Sequence, residues 1–319
     1  MTATRRMFLQ GAILQGAILQ GALAATAMAV QPAFARTQAD PQAGAPATRR
    51  IPSTGEAIPP VGLGTWITFN VGDDDELRDE CAAVMDAFFR AGGGMIDSSP
   101  MYGSSQQVVG YGLRKLGQPK GLFSADKVWI SSGSRGPSQI EESRGLWGVP
   151  HFDLLQVHNL LAWEEHLKTL HAMKAAGRLR YVGITTSEGR RHDLLETIMA
   201  SQPLDFVQLT YNIVDREVEN RILPLATDRG IGVIVNRPFQ QGVLLRRLAG
   251  QPLPAWAGDI GASSWAQVVL KFIISHPAVT VAIPATSQVA HVRENMAAMS
   301  GPMPDAAMRK RMADHVRAL

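Results

Sequence analysis

Gly92-Gly93-Gly94-Met95-Ile96-Asp97-Ser98-Ser99-Pro100-Met101-Tyr102-Gly103 decides the fold. Before it, Glu76 to Arg90 carries Leu77, Ala83, Val84, Ala87 and Phe88 at helical spacing, a stripe that must lie on a core. The glycine triplet ends that helix. Met95 to Ser98 then reads as a short buried strand, with an aspartate where it should finish. After the turn at Pro100, Gln106 to Leu116 resumes a helical pattern. Strand, loop and helix form one βα unit.

The same unit recurs in both directions. Arg50 to Pro59 has a glycine turn between extended arms and reads as a hairpin, and Val61 to Trp66 as the first barrel strand. Downstream, strands are expected at Leu122–Val128, Asp153–Val157, Arg180–Thr185, Phe206–Leu209, Gly232–Val235 and Val279–Ile283. Helices are expected from Ser138, with Glu141 as its capping-box partner, and at Trp163–Ala176, His192–Ala200, Val218–Arg229, Trp265–Ser275 and Val289–Met299. Asp305 to Ala318 reads as one further surface helix. Short, apolar, non-alternating strands are buried on both faces, which requires a parallel sheet covered by helices. Eight such units close most simply as an α/β fold of the (β/α)8 TIM-barrel type. A doubly wound open sheet is the weaker alternative, because no strand runs into a Gly-x-Gly-x-x-Gly turn.

In such a barrel the C-terminal strand ends converge on one mouth. They carry Thr65-Trp66, Asp97, Lys127, His158, Thr185-Thr186, Gln208, Asn236-Arg237 and Thr286, with Tyr102 on the loop after Asp97. Neighbouring strands lie about 5 Å apart, so aspartate, tyrosine, lysine and histidine can meet. Hydride reduction of a carbonyl needs a proton for the developing alkoxide. A phenol is a weak acid at neutral pH, and a cationic lysine beside it should lower its pKa. The aspartate keeps that lysine charged, and the histidine can orient the carbonyl oxygen. No metal is implied, because the histidines lack paired spacing with cysteine or glutamate.

This constellation resembles the aldo/keto reductase superfamily, over nearly the whole chain from Arg50 to Asn295. Val61-Gly62-Leu63-Gly64-Thr65 and Asp153-Leu154-Leu155-Gln156-Val157-His158 match its motifs. The resemblance implies a catalytic tetrad of Asp97, Tyr102, Lys127 and His158, and an oxidoreductase moving a hydride between NAD(P)H and an aldehyde or ketone, with Tyr102 as general acid. It also implies a nicotinamide cofactor across the mouth, NADP(H) ahead of NAD(H). Its contacts would be Gly64, Thr65, Trp66, Thr185, Thr186, Gln208, Asn236, Arg237, Phe239, Thr286, Ser287, His291, Glu294 and Asn295. Thr186 stands where the family has the asparagine of a Ser-Asn pair on the carboxamide. Asn236 stands where an aromatic commonly stacks on the nicotinamide, and Arg237 beside it offers a guanidinium instead. Ala285 and His291 fall where basic residues hold the 2′-phosphate. Trp66, Trp129 and the loop Asn159 to Trp163 are expected to wall the substrate side. The competing class is an exported cofactor-binding or regulatory barrel without turnover.

Thr4-Arg5-Arg6-Met7-Phe8-Leu9 opens the chain as a twin-arginine sequence, followed by a weakly apolar stretch of Gly-Ala-Ile-Leu-Gln repeats. With Ala33-Phe34-Ala35 behind it, residues 1–35 read as an export signal, 36–48 as a disordered spacer and 49–319 as the barrel. The export machinery is then a partner and the periplasm the destination. A formal charge of +3, from scattered Lys and Arg, gives no footprint for nucleic acid. The mature chain has no stretch apolar enough to span a membrane, and the single cysteine, Cys81, reads as a small core side chain.

Overall fold

A computed structural model describes residues 47–319. The twin-arginine segment and most of the spacer lie outside these residues. The chain enters through a hairpin of β1 (Arg49–Arg50) and β2 (Ala57–Ile58), turned at Gly55 with φ +76°. Eight parallel strands follow: β3 (Leu63–Gly64), β4 (Met95–Asp97), β5 (Phe123–Val128), β6 (Leu154–Val157), β7 (Tyr181–Thr185), β8 (Phe206–Thr210), β9 (Gly232–Asn236) and β10 (Val279–Ala282). Each pairs with its sequence neighbour.

Parallel bridges from Val61 to Ala282 and from Gly64 to Ala285 join the first strand to the last. The closure needs glycine. A Cβ on Gly62 would stand 2.9 Å from the Met95 carbonyl oxygen, and one on Gly64 would stand 2.8 Å from that of Ile283. With those positions bare, the Gly62 N–H donates to the Ala282 oxygen at 2.8 Å and the sheet becomes a (β/α)8 barrel.

Helices α1 (Asp75–Arg90), α2 (Ser105–Lys115), α3 (Gly136–Trp147), α4 (Trp163–Ala175), α5 (His192–Ser201), α6 (Ile222–Asp228), α7 (Val243–Leu248), α8 (Trp265–Ile274), α9 (Val289–Ala297) and α10 (Ala306–Ala318) surround it. Alternate strand residues divide the core in two. Met95, Phe123, Leu154, Tyr181, Phe206 and Val281 fill the barrel, where Ile51 and Ile58 of the hairpin join them from the end opposite the mouth. Outward residues such as Ile96, Leu155, Val182 and Val233 bury the helices' apolar faces.

Local endings depart from expectation in three places. Ser138 does not cap α3: Pro137 lies in the first turn, the helix begins at Gly136, and the Ser138 hydroxyl donates to the Arg135 oxygen instead. Glu141 pairs with Arg144. The helix expected over 218–229 is split into a 3-10 turn at Glu217–Glu219 and α6, because Pro224 lacks an N–H and is tolerated only in a first turn. Between β9 and α8 the chain forms α7 and a 3-10 segment, Ala255–Ile260, for which no element was expected.

Candidate active site

The buried centre of the mouth is an ion pair. Asp97 ends β4, and the register sets it opposite Ala125 of β5, so Lys127 lies one inward position further along. Its Nζ donates to Asp97 Oδ1 at 2.5 Å and to the Ser98 carbonyl oxygen at 2.7 Å. Asp97 Oδ2 accepts from Gln208 Nε2 at 2.9 Å and from Gln156 Nε2 at 3.2 Å. Lys127 is wholly buried and Asp97 1% exposed. Such a pair is tolerated only when the remaining protons and lone pairs also find partners. Burial alone would lower the lysine pKa. Asp97, with Tyr102 and Asp126, more than reverses this and holds the ammonium above the ordinary lysine value.

Tyr102 reaches this pair from the loop after β4, where its N–H donates to the Ser99 carbonyl oxygen at 3.0 Å. Its ring centroid lies 5.0 Å from Lys127 Nζ. Burial raises the phenol pKa, Lys127 pulls it back, and Asp97 raises it again; the balance stands above the ordinary value of 10. The downward pull expected from Lys127 is present, but burial outweighs it, and the phenol is protonated at neutral pH. His158, at the end of β6, meets Tyr102 edge-on with 5.6 Å between ring centroids. Burial first, then Lys127, lowers its pKa to about 2, so the imidazole is neutral. Its Nδ1 lies 2.7 Å from Ser99 Oγ.

Above these groups opens a cavity of about 760 Å³, within the usual range for small-molecule and cofactor sites. Asp97, Tyr102 and His158 line it, and Lys127 lies beneath. Gly64, Thr65, Trp66, Thr185, Thr186, Gln208, Asn236, Arg237, Phe239, Thr286, His291, Glu294 and Asn295 also line it. Ser287 does not: it is exposed just before α9. Thr185 Oγ1 accepts from the Asn159 N–H at 3.1 Å. Asn236 Nδ2 donates to the Thr186 carbonyl oxygen at 2.9 Å, and its Oδ1 accepts from Thr210 Oγ1 at 2.7 Å. The Arg237 guanidinium lies 5.9 Å from the Trp66 ring centroid and pairs with Glu188.

Some residues of the site escaped sequence reasoning. Gln156 shares the inward face of β6 with His158, a parity that could have flagged it. Glu188, Arg190 and Arg191 lie on the loop after β7, in a polar run no motif marks. Arg190 pairs with Glu188 at 2.6 Å, and Arg191 donates to the Asn159 carbonyl oxygen. Ile67, 61% exposed at φ +66°, and Met101 add apolar rim beside Trp66. Trp129 stands 6.5 Å from the His158 ring. Trp163, expected on the substrate wall, instead packs against the outer core.

The family model described as "Aldo/keto reductase family" matches residues 60–313. Among curated relatives, methylglyoxal reductase YeaE of Escherichia coli is 28% identical over 250 residues, covering 76% of this chain and 86% of its own. The NADH-specific methylglyoxal reductase of the same organism is 28% identical over 244 residues, covering 66% and 73%. An aldo/keto reductase from Klebsiella pneumoniae, solved in complex with NADP and acetate, shares the fold at a TM-score of 0.69 and 23% identity, over 82% of this chain and 93% of that one. With a family match spanning every strand of the barrel, this chain belongs to the aldo/keto reductase family and is an oxidoreductase.

Proposed function

We propose that the protein reduces an aldehyde or ketone with a nicotinamide dinucleotide, accepting NADP(H) ahead of NAD(H), and that Tyr102 is the general acid. One observation carries this reading: a protonated phenol and a neutral imidazole meet at the cavity floor, over a fully buried Lys127–Asp97 pair. The donor set fits the cofactor. Gln208 binds Asp97 through its amide nitrogen, leaving the amide oxygen for a carboxamide N–H. Arg190, Arg191 and Arg237 offer cations to a diphosphate, while Thr286, His291 and Asn295 stand at the far end for an adenosine. NADP(H) is favoured by His291 there and by the NADP-bound solved relative; the NADH-specific relative marks the competing preference.

Bound nicotinamide supplies the hydride. Tyr102 gives its proton to the developing alkoxide oxygen, and the Lys127 ammonium stabilises the phenolate left behind. Asp97 keeps Lys127 charged and aimed. His158 donates an N–H to the substrate oxygen and fixes its position. Trp66, Ile67 and Met101 give the rim an apolar surface for the rest of the substrate.

Titration of the purified protein with NADPH and NADH, followed by nicotinamide fluorescence, tests the cofactor. Binding of both is expected, tighter for NADPH; no binding at micromolar cofactor sinks the reading. Tyr102→Phe should then lower carbonyl turnover by at least about 10²-fold while leaving cofactor affinity nearly unchanged. Twin-arginine export to the periplasm belongs to the same proposal and rests on Arg5-Arg6 and the apolar stretch behind them. Arg5→Lys with Arg6→Lys should hold the protein in the cytoplasm, and undiminished export would refute that part.

A further inference from the structure

Ser99 touches both neutral partners of the site. Its carbonyl oxygen accepts the Tyr102 N–H at 3.0 Å, and its Oγ lies 2.7 Å from His158 Nδ1. The side chain is fully buried, as is most of the imidazole. Which atom donates follows from counting protons. Ser99 Oγ already accepts from the Met101 N–H at 3.2 Å. A donating Nδ1–H would bring it a second incoming proton and leave the hydroxyl's own proton with no acceptor among the described residues. A hydroxyl that donates to Nδ1 satisfies all three groups. The imidazole proton then sits on Nε2, which has no hydrogen-bond partner among the described residues, on a ring that lines the cavity.

We infer that Ser99 is a positioning residue: it donates to His158 Nδ1, fixes the Nε2–H tautomer and so aims a single N–H at the substrate carbonyl oxygen. The inference rests on the carbonyl-reduction reading for its consequence, but not for the tautomer. Because the Ser99 carbonyl also holds the Tyr102 backbone, one residue sets the proton donor and the oxygen-orienting donor in register. With the opposite tautomer, a bare Nε2 would present a lone pair to the substrate oxygen and repel it.

The test uses the full chain with 15N-labelled histidine. Without cofactor or substrate, the His158 nitrogens should report a protonated Nε2 and an unprotonated, hydrogen-bonded Nδ1. A proton on Nδ1 overturns the assignment. Ser99→Ala should lower kcat about tenfold, equivalent to about 1.4 kcal/mol, with cofactor affinity unchanged and loss of the hydrogen-bond signature at Nδ1. Unchanged kcat overturns the positioning role. Ser99→Thr keeps a hydroxyl and should restore most of kcat; a folded Ser99→Thr as slow as Ser99→Ala also overturns it. A wild-type chain inactive on every carbonyl would instead refute the functional reading, while the tautomer result stood independently.

Discussion

At neutral pH the floor of the mouth holds the buried Lys127–Asp97 pair and two uncharged proton donors, and that division has a kinetic signature. His158, lowered to about 2, does not gain a proton until far into acid, and Tyr102, raised above 10, does not lose one until strongly alkaline conditions. At saturating cofactor, log(kcat/KM) for the carbonyl should therefore be flat through the ordinary histidine pKa of about 6.5. An inflection there that disappears in His158→Gln would show that the imidazole titrates and is not held neutral. The four side chains behind this profile were legible in the sequence because each sits at or just after a strand end, where a barrel converges them. Ser99 was not, because serine is common on loops and its partner lies 59 residues away. Gln156 offered only its shared parity with His158, its own partner Asp97 being equally distant in sequence. The direction of the Tyr102 shift was also hidden: sequence names the lysine beside a phenol, but burial outweighs that charge.

At the scale of elements, the strands were legible and the mouth loops were not. A strand buried on both faces has little choice but an apolar run, and every barrel strand overlays an expected segment, with β8 and β9 each running one residue beyond it, to Thr210 and Asn236. The loops obey no such constraint. Among the described residues, nine of the ten non-glycine positions with positive φ follow C-terminal strand ends, from Ile67 through Asn159 and Arg191 to Gln241, with Gln118 alone elsewhere. Left-handed backbone at non-glycine residues is uncommon and gathers at functional sites, and no propensity pattern forecasts it. The excursion holding α7 was missed for the same reason. Helix packing gives a sharper test on two helical glycines. In α2 a Cβ on Gly110 would stand 1.9 Å from the Leu146 carbonyl oxygen of α3, whereas Gly145 in α3 is exposed and has nothing within 4 Å of a Cβ. Gly145→Ala should stabilise the fold by about 0.5–1 kcal/mol through the unfolded chain's lost freedom. Gly110→Ala should destabilise it by about 3 kcal/mol, since two helix backbones must separate. Urea midpoints of both variants check this; equal shifts would mean that α2 and α3 do not approach so closely.

For the whole molecule, β5 shows how one strand serves two cores and couples stability to pH. Lys127 points into the barrel, and its neighbour Asp126 points out beneath α2 and α3, fully buried. Asp126 accepts from the Lys127 N–H at 2.7 Å and from Gln106 Nε2 at 2.7 Å, and Gln106 in turn reaches Ser143 of α3 at 2.9 Å. Burial raises its pKa to about 7, with Lys127, its N–H and Gln106 opposing and Asp97 adding a little. The sign follows from linkage. An unfolded aspartate loses its proton near 4 and the folded one near 7, so across that window the native state holds the extra proton. Stability from this group therefore falls as pH rises, by on the order of a few kcal/mol in total, and levels off above 7. Two histidines act oppositely: buried His158 and half-buried His276, lowered to about 2 and about 4, make stability rise with pH up to about 6.5. The raw wild-type curve mixes the two, and a difference separates them. Asp126→Asn cannot ionise, so relative to wild type it should be more stable at pH 8 than at pH 5. Urea unfolding of both proteins at the two pH values measures that difference. The same offset at both would mean that Asp126 carries its charge throughout and that the Gln106–Ser143 network, rather than a proton, satisfies it.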